Sequence, residues 1–261
     1  MVLPERPQQL KHMPRLAFPT GTLPPEAEPG DLVGLTAEQR HYLERVRRLR
    51  TGDTFLAFDG SGRLWQAKLA GEAAVLVQEF APLSRELSLP LELAIAIPKG
   101  SGFDDIVRQV SELGVKDIVP LLTERTLVQP AAKRLQRWRA IAAEAAEQSE
   151  RLQVASVSEP LTWQEWLQRG PVTWRAIATA REPSPHLLTA LRQAIAADRS
   201  MAGIAIAIGP EGGWTATELE LAHCYQLQGV SLGPRILRAV TAPVYAASVV
   251  AAVLEAGHEP R

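Results

Sequence analysis

The chain has 261 residues, 46% hydrophobic and 22% charged, with a formal net charge of -1. That balance suits a globular fold with apolar material for one large or two modest cores, and it excludes a disordered chain or a protein that coats nucleic acid by bulk charge. Cys224 is the sole cysteine, which excludes an internal disulfide and a thiolate-rich zinc site and fits a reducing compartment.

Residues 1–25 mix charges with prolines and hold no apolar core of signal-peptide length, so a cytoplasmic location is expected. A basic run follows, with Arg40, Arg45, Arg47, Arg48 and Arg50 against the single acid Glu44. The planar fork of arginine matches phosphate, which makes Arg45, Arg47 and Arg48 candidate phosphate contacts; a solvated helix face is the plainer alternative. Lys133, Arg134, Arg137 and Arg139 form a second basic cluster. Strands are predicted at 54–58, 63–69 and 74–80, separated by Asp59-Gly60-Ser61-Gly62 and Ala70-Gly71, and their close spacing suggests a small β-barrel. The proline-bracketed segment 81–90 marks a boundary, giving domains 1–84 and 85–261.

Beyond it the pattern alternates. Strand 93–97 precedes a helix on which Phe103, Ile106, Val107, Val110 and Leu113 recur at helical spacing before Gly114 supplies a stop. A strand at 117–122, a helix at 133–148, strands at 172–178 and 203–208 and a helix at 185–197 follow. Such alternation implies an α/β fold with a mostly parallel sheet covered on both faces. The longest apolar stretch, 239–254, contains Pro243 and is shorter than the roughly 20 residues of a membrane-spanning helix, so it reads as buried and no membrane partner is expected.

Two glycine loops carry most of the chemical information. Gly209-Pro210-Glu211-Gly212-Gly213-Trp214 comes directly after a buried strand that ends at Ile208, and Thr215 with Glu218 forms a capping box for the next helix. In open α/β sheets such a turn at a strand's carboxyl end builds a ligand site. The spacing gives neither a dinucleotide fingerprint nor a P-loop, and Pro210 removes an amide that phosphate could use, so a ligand without phosphate fits better. The second loop, Leu232-Gly233-Pro234-Arg235-Ile236-Leu237-Arg238, lies between a short strand at 229–232 and the apolar last helix, and the two loops could wall one pocket. Glycines that merely permit ordinary turns are the plainer alternative for either loop alone.

Together with Thr241-Ala242-Pro243, these loops resemble the cofactor-binding motifs of the 16S rRNA uracil-N3 methyltransferases, a family of the SPOUT superfamily. His41-Tyr42-Leu43, Arg45-Val46-Arg47-Arg48-Leu49, Gly52-Asp53 and Phe58-Asp59-Gly60 resemble the family's PUA-like RNA-binding domain. Pro98-Lys99-Gly100, Glu112-Leu113-Gly114, Pro120-Leu121, Thr123-Glu124-Arg125 and Glu144-Ala145-Ala146-Glu147-Gln148-Ser149 match its catalytic domain in order and spacing. The resemblance implies a SPOUT-type parallel sheet with a C-terminal trefoil knot, preceded by a small PUA-like β-barrel. It implies S-adenosylmethionine as cofactor, held by Ile208, Gly209, Pro210, Glu211, Gly212, Gly213, Leu232, Gly233, Ile236 and Leu237, with no metal. It implies 16S rRNA of the small ribosomal subunit as partner, with Arg45, Arg47 and Arg48 on its phosphates. One departure stands out: where the family reads Arg-Thr-Glu-Thr-Ala, this chain has Arg238-Ala239-Val240-Thr241-Ala242, so Val240 replaces a carboxylate.

Uracil N3 must lose a proton on methylation, which requires a base or a cation that stabilises the anion. Arg235 and Arg238 are the expected catalytic candidates, with structural salt bridges as their alternative use. Glu211 could accept from cofactor or substrate, or simply favour a helix N-terminus. His223 and Cys224 read as structural. Because N3 lies on the pairing edge, the base must be unstacked, and Trp65 and Trp214 are stacking candidates unless buried in a core. A ribose 2′-O-methyltransferase of the same superfamily and a catalytically silent RNA-binding assembly protein are the competing functions. The last helix, apolar nearly all round, must be covered on every face, which together with the resemblance leads to an expected homodimer.

Overall fold

A computed structural model describes residues 10, 13–19, 21–60, 62–80, 85–126, 130–170 and 174–256. The chain divides into two compact units, one of Met1–Glu86 with Ala146–Val154 and one of Leu87–Ala145 with Ala155–Arg261.

The first unit contains β1 (Arg15–Ala17), β2 (Leu32–Gly34), α1 (Ala37–His41), a π-helical turn at Tyr42–Val46, β3 (Thr54–Phe58), β4 (Leu64–Ala70) and β5 (Ala73–Phe80). They form a five-stranded sheet in the order β1-β3-β4-β5-β2, antiparallel except for β1 beside β3. Strand β3, a short apolar run before the Asp59-Gly60 turn, occurs at the predicted residues; β1 and β2, three residues each, carry too short a pattern to be seen in sequence. Trp65, the first of the two stacking candidates, is a core residue of this sheet at 1% exposure and packs with Phe55, Leu43 and Leu76, so it is not available to a base.

Residues 146–154 join this unit for a visible reason. The Arg151 guanidinium, almost fully buried, donates to Glu86 Oε2 at 2.9 and 2.6 Å, and Glu86 Oε1 accepts the amides of Leu152 and Gln153. A buried ion pair is tolerable only when its remaining donors and acceptors are satisfied in this way. Leu152 and Ala146 add apolar contact to Leu56, Phe58 and Leu64.

The second unit runs through β6 (Leu91–Ala96), α2 (Gly102–Glu112), β7 (Asp117–Leu122) and α3 (Ala132–Gln148, whose last three residues belong to the first unit). It continues with β8 (Ser156–Val157), β9 (Leu161–Thr162), α4 (Trp163–Gln168), β10 (Trp174–Ala178), α5 (Leu187–Ala197), β11 (Ile204–Ile208), α6 (Ala216–Cys224), β12 (Gln228–Val230) and α7 (Thr241–Glu255). All pairs in its sheet are parallel, in the order β12-β10-β11-β6-β7-β8, with β9 also on β7. Every residue of β11 is buried, which is why Ile-Ala-Ile-Ala-Ile reads as an unbroken apolar run: a central parallel strand is covered on both faces. Helix α2 ends where predicted because Gly114 adopts φ +89°, and the side chain of Leu87 fills the space a Cβ there would need. No helix among the described residues is long and apolar enough to cross a membrane.

Candidate cofactor pocket

Strands β12, β10 and β11 are neighbours at one side of the sheet, and the loops after their carboxyl ends enclose a cavity of about 270 Å³. This is close to the lower bound of roughly 300 Å³ for small-ligand pockets. The cavity is lined by the loop 178–182 after β10, by the loop 208–214 with Leu219 of α6, by the loop 232–237 with Ala239 and Ala242, and by Arg125.

Each loop is built by local chemistry. In the first glycine loop the Gly213 amide closes a turn on the Pro210 carbonyl at 2.8 Å with Gly213 at φ +71°. Gly209 is required for a different reason: a Cβ there would lie 3.0 Å from the Trp214 ring, which folds back over the loop. The Trp214 indole N–H donates to the Ala178 carbonyl at 3.0 Å and its ring packs on Trp163, so the second stacking candidate serves as a pocket wall that ties β10 to β11. Thr215 and Glu218 make the predicted capping box, with Thr215 Oγ1 accepting the Glu218 amide and Glu218 Oε2 accepting the Thr215 amide. In the second loop Gly233 takes φ +102° and its amide donates to Ser231 Oγ. The strand end is set by the Thr179 amide on the Val230 carbonyl and the Ser231 amide on the Pro185 carbonyl.

The ten residues expected at the cofactor, Ile208, Gly209, Pro210, Glu211, Gly212, Gly213, Leu232, Gly233, Ile236 and Leu237, all line this one cavity. Arg235 lines it as well, whereas Arg238 does not; its carbonyl accepts the Thr241 and Ala242 amides at the start of α7 and its side chain is exposed. Glu211 reaches sideways, with Oε1 accepting the Lys99 amide at 3.2 Å. Val240, the departure noted in the sequence, precedes the first turn of α7 without capping it, and its Cγ1 occupies the space that a Cβ on Gly102 would take, so this position makes an apolar contact with the start of α2. The third wall, Ala178–Thr179–Ala180–Arg181–Glu182, escapes sequence reading because it has no glycine signature; only the adjacency of β10 to β12 and β11 brings it in. His223 and Cys224 are exposed on α6, away from the cavity lining. Among the described residues, no group of three or more His, Cys, Asp or Glu could hold a metal ion.

Arg45, Arg47 and Arg48 lie in the other unit, on the π-turn and just after it. All three are exposed, and Arg48 adopts φ +59°. Arg40 differs, since its guanidinium pairs with Glu72 at 2.6 Å.

Comparison with known proteins places this geometry. Residues 85–251 match the model of the RNA methyltransferase domain, and residues 35–78 match that of the RNA methyltransferase PUA domain. The chain belongs to the ribosomal RNA small subunit methyltransferase E family. It is 47% identical to the family member from Synechocystis sp., over 85% of this chain and 74% of that protein, and 31% identical to the one from Bacillus subtilis, over 86% and 91%. A solved structure of the Neisseria gonorrhoeae member, bound to S-adenosyl methionine, superposes with a TM-score of 0.76 at 31% identity, covering 91% of this chain and 96% of that one. The α/β domain with its parallel sheet and the PUA-type domain are those of this family.

Proposed function

We propose that this chain transfers the methyl group of S-adenosylmethionine to N3 of a uridine in 16S rRNA, in the small ribosomal subunit and in the cytoplasm. The observation that carries this reading is the convergence of both glycine loops, chosen by sequence, on a single cavity at the carboxyl ends of β10, β11 and β12. The pocket fits the cofactor chemically: Leu219, Leu232, Ile236 and Leu237 offer apolar surface, and the backbone turns at Gly212–Gly213 and Gly233 allow close approach. When bound, the cofactor supplies an electrophilic methyl group whose sulfonium charge already activates it.

The protein's part is then alignment and charge. Arg235 lines the cavity and is exposed, and it is the residue proposed to stabilise the uracil anion formed on loss of the N3 proton. Arg238, outside the lining, is proposed to grip the adjoining phosphate. Residues 1–84 are proposed as the RNA-binding domain, through Arg45, Arg47 and Arg48, and 85–261 as the catalytic domain. Helix α7 supports a homodimer: Pro243, Ala246, Ala247, Val250, Ala251 and Leu254 are buried within the unit, while Val249 and Val253 are only half-buried and Ser248 and Ala252 are exposed. The trefoil threading of α7 is proposed with it, supported by the packing of this helix on β6, β11, α2 and α5.

Incubation of the purified chain with radiolabelled S-adenosylmethionine and unmethylated small subunits tests the proposal. Label recovered as 3-methyluridine is expected. Label on a ribose hydroxyl would reassign the reaction, and an absence of transfer from a chain that binds both RNA and cofactor would leave a silent assembly protein.

A further inference from the structure

We propose that Arg125 is a positioning residue for the pocket: the turn that carries it clamps the Gly212–Gly213 peptide and fixes the first glycine loop in its cofactor-accepting shape. The inference rests on the reading of the cavity as the S-adenosylmethionine site.

The turn itself is rigidly built. Directly after β7 the Thr126 amide donates to the Thr123 carbonyl at 3.0 Å, the Thr123 amide donates to Thr126 Oγ1 at 3.1 Å, and the two hydroxyls are 2.7 Å apart. Glu218 fastens this turn to α6. One oxygen of its buried carboxylate accepts the Glu124 amide at 2.9 Å, while the other caps the helix through Thr215. Arg125 is thereby held over the loop, where its Nη1 donates to the Gly212 carbonyl. Its stem is equally close, because a Cβ on Gly212 would lie 3.0 Å from Arg125 Cδ, with Cβ and Cγ of the same side chain the next nearest atoms. The preceding residue is held independently, through Glu211 and the Lys99 amide after β6.

Two consecutive glycines make this loop costly to order, since glycine loses more conformational freedom than any other residue. A fixed Gly212 carbonyl removes part of that cost before the ligand arrives, and preorganisation of this kind appears as affinity. Arg125 therefore acts through the loop and not on the transferred methyl group.

The full-length chain and its variants would be titrated with S-adenosylmethionine and S-adenosylhomocysteine by calorimetry, alongside initial rates on small subunits and thermal midpoints. Arg125→Ala is expected to weaken cofactor binding by about tenfold, the loss typical of one charge-assisted hydrogen bond. The KM for S-adenosylmethionine should rise more than kcat falls, with the thermal midpoint near that of the parent. Gly212→Ala should also weaken binding in the parent, because the new methyl group displaces the arginine stem, yet add nothing in the Arg125→Ala background, where that stem is gone. Arg125→Lys, which keeps charge and stem but loses the planar fork, should lie between parent and Ala, and it replaces the Ala variant in the comparison if the latter fails to fold. Unchanged affinity in both Arg125 variants, or strictly additive losses in the double variant, overturns the clamp. A parent chain that binds neither ligand overturns the functional reading and the clamp with it.

Discussion

The run from Arg40 to Arg50 and the cluster from Lys133 to Arg139 look alike in sequence, yet the fold employs them differently. In the second cluster the α3 helix aims its arginines at neighbours in the same unit. Arg134 donates to the Gly100 carbonyl and lies over the Trp138 ring, Arg137 pairs with Asp104 at 2.8 Å, and Arg139 donates to the Val157 carbonyl at 3.0 Å. Asp104 also accepts the Trp138 indole N–H at 2.9 Å, so α2 and α3 share one polar junction. In the first run, only Arg40 has a carboxylate partner among the described residues, whereas Arg45, Arg47 and Arg48 stand in solvent around a π-turn whose Leu43 alone is buried. A charge run thus says little until it is known which guanidinium groups the fold has already used, and those left free are the ones proposed to meet RNA phosphates.

The largest effect that would break this contrast is on RNA. Replacing Arg45, Arg47 and Arg48 together with Ala should flatten the salt dependence of RNA binding by about 3 in log-log slope, one for each lost phosphate contact, with thermal stability unchanged. An unaltered slope would return these arginines to the solvated face. Removing Arg134 and Arg137 should do the opposite: the salt slope stays, and the second unit loses about 1 kcal/mol, because both groups are partly exposed and exposed pairs contribute little each. Denaturant titration beside filter binding would separate the two outcomes.

The smallest effect concerns Arg63, an arginine of the first unit that the fold has fully engaged. It donates to both oxygens of Glu79, at 2.6 and 3.1 Å, and to the carbonyls of Pro24 and Pro25. The hydrogen bond from Arg63 holds the Glu79 carboxyl below its ordinary value, against a smaller opposing effect of burial. A carboxylate with a depressed folded value adds stability that is present above its unfolded value and lost as pH falls through the folded one. Glu79→Gln should therefore remove a small part of the acid-side decline in stability, below the usual carboxylate range, and leave the curve above that range parallel to the parent's. Thermal midpoints from acid to neutral pH would show whether the two curves converge at low pH, as expected.

How much was legible in advance differs between elements. Strands β3 and β7 occur at the predicted residues, and α2, α3 and β11 within one residue or so, because each carries a long periodic or unbroken apolar pattern. The Thr215–Glu218 cap was readable because it is a local exchange of hydrogen bonds over three residues. Short β8 and β9 and helix α4 were not foreseen, although α4 begins with a capping box of the same kind at Thr162 and Glu165. The swap of residues 146–154 into the first unit was not foreseen either, since the Arg151–Glu86 pair joins positions 65 residues apart.

The amino-acid sequence by itself determined the alternation of strands and helices, the two glycine loops and the family to which they belong, because those depend on short-range periodicity and on residue types that few other turns require. Tertiary structure alone decided that the two loops and the 178–182 segment face one another, that Arg125 reaches across to Gly212, that Trp214 is a wall, and which arginines remain free. The reason is physical: strand order is settled by which apolar faces pack together, and only that packing fixes which distant side chains come within hydrogen-bond reach.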